Sequence, residues 1–360
     1  METSYRLSAG EMDTLFAKLA ENYLIYAPVR IHNGGRYALD DTIMYKEVTK
    51  YRDIEFHARS IFSMKEVLTP ISQTLFYFTE EEFKEAKVKD ERELLIFGRA
   101  CDLNAVKIQD QIFLENGNEA DFFYKRMRDK AHFVLMECTE QFDGCFCCSL
   151  GTNVTDLQEF SVSFRDEEAF VNVKDNEFAT YFAEATPSDY EIKAPEENEL
   201  QVDFPHLNNK EEYKRLVMHP MWAEYEKRCI GCGKCTIACS TCTCFTTKDV
   251  CYTENRNVGE RKRTCTSCML ADFDTMAGGH CFRKTIGDRY RFKILHKVYA
   301  HDARFNTGAM CVGCGRCDAD CPEQISYSET LHKINLALVE IRQEMASEAE
   351  MKQKEALHHV

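Results

Sequence analysis

Cys229-Ile230-Gly231-Cys232-Gly233-Lys234-Cys235-Thr236-Ile237-Ala238-Cys239 sets four cysteines at offsets of three, three and four, and Cys311-Val312-Gly313-Cys314-Gly315-Arg316-Cys317-Asp318-Ala319-Asp320-Cys321 repeats those offsets. Iron–sulfur clusters take soft thiolate ligands, and three cysteines spaced three apart let one short loop bind three corners of a cubic cluster while a remote cysteine supplies the fourth. In two-cluster proteins of this kind the fourth cysteine of each run ligates the cluster held by the other run. The expectation is one 4Fe-4S cluster on Cys229, Cys232, Cys235 and Cys321, and a second on Cys311, Cys314, Cys317 and Cys239. Gly231, Gly233, Gly313 and Gly315 lie between ligands, where the missing Cβ lets backbone close around inorganic sulfur and offer N–H donors to it. A zinc site usually draws on two separated Cys-x2-Cys pairs, which the packed triplets do not resemble.

Cys321 is followed by Pro322, as the pattern asks, but Cys239 is followed by Ser240 and then Cys242 and Cys244, either of which can replace it. Cys239 is preferred because its offset from Cys235 equals that of Cys321 from Cys317. Cys251, Cys265, Cys268 and Cys281 are left over and read as buried free thiols or packing residues. The N-terminal half holds another group, Cys101, Cys138, Cys145, Cys147 and Cys148. Its irregular spacing leaves it open between ordinary thiols and a third cluster. Cys101 and Cys138 follow expected strand ends, where a sheet presents side chains to a common crevice, and Gly144 with Gly151 gives the intervening loop room to turn. Cys101, Cys138, Cys145 and Cys147 are the candidate third set. His280 can stand in for a cysteine as a ligand, but it reads first as a structural histidine or one supporting a ligand.

Nineteen cysteines, an odd number gathered in tight groups, do not read as a secreted disulfide framework. The N-terminus has no apolar signal-like stretch, and no run reaches the roughly 18 apolar residues of a membrane helix, so a reducing cytosol is the expected location. A net charge of −15 argues against nucleic acid as a partner. From Glu226 to Arg316, 16 Lys plus Arg face 8 Asp plus Glu, leaving that segment at +8 and the rest at −23. A cationic matrix there would offset the charge of buried, thiolate-bound clusters. Arg261-Lys262-Arg263 reads either as a solvated loop or as a patch near a cluster or partner.

The expected fold is α+β: a mixed α/β domain over 1–205, a mainly helical ferredoxin-type domain over 206–345, and a charged tail over 346–360 that is a frayed helix or disordered. An amphipathic helix within Leu7 to Tyr26 follows a Ser8-x-x-Glu11 capping signal. Strands are expected at 93–98, 132–136, 160–164 and 170–173, with one more candidate at 200–204. Helices are expected at 121–128, 177–185, 211–228, 286–300 and 329–343, the insert between the cysteine runs being read as helical. Trp222 is expected in a core.

These residues resemble the iron–sulfur electron-transfer subunits that stand beside flavin subunits in sulfhydrogenases and anaerobic sulfite reductases. The likeness runs nearly end to end through Gly98-Arg99-Ala100-Cys101-Asp102-Leu103, Cys145-Phe146-Cys147, Cys239-Ser240-Thr241-Cys242-Thr243-Cys244-Phe245, Ala277-Gly278-Gly279-His280-Cys281-Phe282-Arg283 and the Cys311 run. It is strongest to the iron–sulfur electron-transfer component of anaerobic sulfite reductases. The resemblance implies a cytoplasmic complex in which an FAD-bearing subunit oxidises NADH, this chain relays the electrons without catalysis of its own, and a sirohaem subunit reduces sulfite to sulfide. The alternative is the β subunit of a nickel–iron hydrogenase, relaying electrons to or from NADP. The resemblance also favours the third cluster. No Gly-x-Gly-x-x-Gly loop, P-loop or paired nucleophile and base is evident, in keeping with a relay.

Overall fold

The computed structural model describes residues 3–358 apart from 36–38, 88–89, 140 and 166. Twelve strands are present among them: β1 (Thr3–Ser8), β2 (Tyr23–Ile31), β3 (Thr42–Glu47), β4 (Ser72–Phe78), β5 (Phe83–Glu85), β6 (Glu93–Gly98), β7 (Ala131–Met136), β8 (Phe160–Arg165), β9 (Glu168–Val173), β10 (Thr186–Pro187), β11 (Phe245–Cys251) and β12 (Gly259–Cys265). An eight-stranded sheet runs β10-β1-β9-β8-β7-β6-β2-β3, with β2, β6, β7 and β8 mutually parallel. The α+β class expected from the sequence is the class observed.

The central strand β6 is apolar on both faces because helices cover both. Leu95 and Phe97 point to the side packed by Leu15, Phe16 and Leu19 of the helix Ala9–Asn22. Leu94 and Ile96 point to the other, where Val106 and Phe113 of the helix Ala100–Leu114 pack with Tyr124. The first helix begins where the capping signal placed it: the Glu11 carboxylate accepts from the Ser8 N–H at 2.7 Å and from its hydroxyl at 2.6 Å. The helix Ala100–Leu114 opens directly after β6, which puts Cys101 in its first turn at the carboxyl end of the parallel strands. Ligand crevices form at that edge in sheets of this kind.

Several elements differ from the sequence reading. The insert between the cysteine runs is not wholly helical: β11 and β12 form an antiparallel hairpin, and β12 pairs with β4 of the N-terminal half in a second sheet of order β11-β12-β4-β5. Arg261, Lys262 and Arg263 lie on β12 rather than in a loop, and buried Arg263 bonds Asp121 at 2.7 Å. Alternation there is masked by the run of charges, which hid the strand. Residues 200–204 carry no strand. The helix expected over 211–228 breaks at His219-Pro220 into Lys210–Met218 and Ala223–Arg228, because proline removes a donor and crowds the preceding turn. Trp222 is buried in the C-terminal core, with Tyr225, Tyr290, Ile294 and Leu331. The last helix runs Tyr327–His358. Its tail turns are anchored by Arg215, whose guanidinium forks onto Glu348 at 2.8 and 2.7 Å. Residues 359–360 of the expected tail lie outside the described residues. Among the described residues no helix is long and apolar enough to cross a membrane.

Candidate iron–sulfur centres

The two cysteine runs adopt the same local geometry. Gly231, Gly233, Gly313 and Gly315 have φ of 67°, 79°, 62° and 68°, a region side chains disfavour. Each loop turns inward there, then starts a short helix, Lys234–Ile237 or Arg316–Ala319, that carries its third cysteine. The turns aim backbone donors at sulfur: Gly231 N–H to Cys229 Sγ at 3.4 Å, Gly313 N–H to Cys311 Sγ at 3.4 Å, and Ile325 N–H to Cys321 Sγ at 3.3 Å.

The four residues of each expected set come together. One cavity is lined by Cys229, Cys232, Cys235 and Cys321, a second by Cys239, Cys311, Cys314 and Cys317, and Lys293 and Tyr327 line both. Neither Cys242 nor Cys244 lines the second cavity. Ser240, which departs from the proline of the pattern, is buried. Its hydroxyl lies 3.8 Å from Cys314 Sγ, and its carbonyl accepts from Gln109 of the N-terminal half at 2.9 Å.

The electrostatics suit an anionic occupant. Lys65, Lys293 and Lys297 are all at least 95% buried, and none forms an ion pair with a carboxylate among the described residues. Burial works against the charge of Lys293, yet the facing sulfurs of Cys235, Cys317, Cys242 and Cys239 outweigh it and hold its pKa well above the ordinary lysine value. Lys297 is raised in the same way, against its burial, by Cys239 and Cys242. Lys65, from the N-terminal half, donates to the carbonyls of Thr236, Cys239 and Cys242 at 3.3, 2.7 and 3.1 Å. Burial pushes the Cys311 thiol up to about 12, so loading a metal centre must displace its proton. Two four-cysteine cavities wrapped by N–H donors and buried ammonium groups fit thiolate-bound cubic clusters.

The N-terminal group lies against the second cavity. Cys145 and Cys147 Sγ are 3.6 Å apart, Cys101 is close enough to both to interact, and Cys138 stands beside Cys145 with Arg99 as its donor. Asn198 donates to Cys145 Sγ at 3.5 Å. Contact with the Cys311 run is backbone to backbone. A Cβ on Gly313 would stand 2.6 Å from the Phe146 carbonyl carbon, and one on Gly315 would stand 2.4 Å from the Gly144 oxygen. These two glycines are therefore needed for close approach as well as for their turns. Between Cys314 and Cys317, Arg316 forks onto Asp102, the neighbour of Cys101, at 2.7 and 3.0 Å, with the pair 3% and 1% exposed. His280 lies exposed against Phe282, away from both cavities.

Sequence reasoning missed Lys65, Asp102, Gln109 and Arg316 as parts of the site. Only the +8 segment hinted at a cationic matrix, and it could not implicate residues from the first half of the chain.

Fold and site together define an iron–sulfur protein that transfers electrons, and residues 228–325 match a family described as a 4Fe-4S dicluster domain. Over 351 residues the chain is 30% identical to sulfhydrogenase 2 subunit beta of Pyrococcus furiosus, covering 93% of this chain and 99% of that one. The chain belongs to the family of sulfhydrogenase beta subunits, iron–sulfur electron-transfer components of oxidoreductases. No solved structure matches it.

Proposed function

We propose that this chain is the electron-relay subunit of a cytoplasmic, anaerobic sulfite reductase complex. It accepts electrons from an FAD subunit that oxidises NADH and hands them to a sirohaem subunit that reduces sulfite to sulfide. Cys229, Cys232, Cys235 and Cys321 hold one 4Fe-4S cluster, Cys239, Cys311, Cys314 and Cys317 a second, and Cys101, Cys138, Cys145 and Cys147 a third. The observation that supports the relay is the adjacency of the three sulfur groups: two cavities share Lys293 and Tyr327, and the loop Gly144–Cys147 packs on Gly313 and Gly315. Clusters bound there would take up and release single electrons at potentials tuned by N–H donors and nearby charge. The chain's own part is to hold the thiolates, exclude water and supply the buried Lys65, Lys293 and Lys297 that offset their negative charge.

The sulfite reading is supported by the Cys229 to Phe245 stretch and the Arg261 to Arg283 insert, which resemble the iron–sulfur component of anaerobic sulfite reductases. A second reading, the β subunit of a nickel–iron hydrogenase relaying to or from NADP, is favoured by the name of the Pyrococcus relative. Anaerobic purification of the native complex through a tag on this chain separates them, since sirohaem in the eluate supports the first and nickel the second. Colourless, zinc-loaded protein would end both. Cys314→Ala should stop transfer while leaving flavin reduction in the partner intact, and undiminished transfer would contradict the ligand assignment.

A further inference from the structure

Six cysteines remain that neither the two cavities nor the N-terminal group absorbs, and the hairpin gathers four of them, Cys242, Cys244, Cys265 and Cys268. Phe245 pairs with Cys265 across β11 and β12, so Cys242 and Cys244 lead into one strand where Cys265 and Cys268 leave the other. The Thr266 N–H donates to the Cys244 carbonyl at 3.0 Å, and the Cys265 N–H to the Ile71 carbonyl at 2.8 Å, fixing both ends. Cys242, Cys244 and Cys265 line one cavity, the Cys244 and Cys268 thiols stand close enough to interact, and Cys242 also stands beside Cys239 of the second set. Cys242 and Cys268 are buried, and none of the four is in a disulfide.

The surroundings again suit an anion. Lys65 and Arg263 line this cavity, and no Asp or Glu does. Thr236 Oγ1 lies 3.9 Å from Cys268 Sγ. The thiol pairs come from the two ends of an antiparallel hairpin, a two-plus-two arrangement that gathers metal ligands from distant sequence. Four soft thiolates suit an iron–sulfur cluster as those of the two cysteine runs do, and measured iron and zinc contents separate it from a single zinc ion.

We infer that Cys242, Cys244, Cys265 and Cys268 form a further metal centre that holds an iron–sulfur cluster, separate from those of the two cavities and the N-terminal group. The inference rests on the iron–sulfur reading above, and its test separates the two. In the intact complex, purified anaerobically, the double substitution Cys265→Ser with Cys268→Ser should remove about four iron and four acid-labile sulfide per chain relative to the parent. Cys244→Ser should do the same. Unchanged iron in either folded variant overturns the centre, including where a zinc ion is lost instead. A parent without iron would sink the earlier reading rather than this one.

Alkylation of the unsubstituted complex needs no variant to fold. Cys244 and Cys265, both partly exposed, should resist iodoacetamide until a chelator strips the iron, while exposed Cys251 labels throughout. Labelling of Cys244 and Cys265 before chelation, or no change after it, overturns the proposal.

Discussion

Asp102→Asn tests how the two halves of the site are joined. Arg316 is bound by four acceptor contacts, two from Asp102 and two from Ser60 through its carbonyl at 3.0 Å and hydroxyl at 3.2 Å. The substitution keeps the shape of residue 102 and removes its charge, leaving the buried guanidinium without its carboxylate partner. Opposite charges about 4 Å apart in an effective dielectric near 20 attract by about 4 kcal/mol. Breaking a buried pair from one side costs about 3–5 kcal/mol, and the retained amide oxygen returns about 1 kcal/mol through a surviving hydrogen bond. The expected loss of stability is thus about 3 kcal/mol. Anaerobic urea unfolding, followed by fluorescence of Trp222 and by cluster absorbance, measures it. Arg316→Met completes a double-mutant cycle in which the doubly substituted chain should be less destabilised than the two single losses added together. A loss under about 1 kcal/mol for Asp102→Asn, or strict additivity, would refute the view that this pair fastens the Cys311 run to the start of the Cys101 helix.

Gly313→Ala should cost more than about 3 kcal/mol, since its Cβ would meet backbone of Phe146 and Cys147 at 2.6–2.7 Å, whereas Gly231→Ala, with 3.5 Å of clearance, should cost only the left-handed penalty of about 1–2 kcal/mol. The same urea titration compares them. Lys65→Met keeps the stem but takes a donor from three buried carbonyls, of which that of Cys239 keeps the Cys242 N–H at 3.4 Å, so a loss of about 2 kcal/mol or more is expected. Scanning calorimetry would register it as a lowered Tm. His132 bonds Glu159 at 3.2 Å and Glu93 at 2.8 Å, and these carboxylates, Glu159 foremost, raise its pKa against burial. Because the folded value lies above the unfolded one of about 6.5, this stabilisation is complete below that pH and drains away as pH rises through the raised value. Unfolding free energy measured from pH 6 to 8 should decline more steeply in the parent than in His132→Gln.

Local chemistry decided a large part of this protein. The offsets of Cys229 to Cys239 and Cys311 to Cys321 specify two loops that turn at glycine and present three thiols each, because such a turn needs only residues a few positions apart. The same holds for the Ser8 cap and for the apolar runs of β6 and β7, whose neighbours along the chain are enough to define them. What periodicity could not reveal depends on partners distant in sequence. The β11–β12 hairpin is held by β4, which lies far back in the N-terminal half, and its charged run gives no alternation to read. Lys65, Asp102 and Gln109 gain their roles only when the N-terminal sheet is laid against the cysteine loops. Cys242, Cys244, Cys265 and Cys268 become neighbours because an antiparallel register returns Cys265 to the side of Phe245. Ligand type and spacing were thus set along the chain, whereas the charge around each centre and the contacts between centres arise only where distant segments pack.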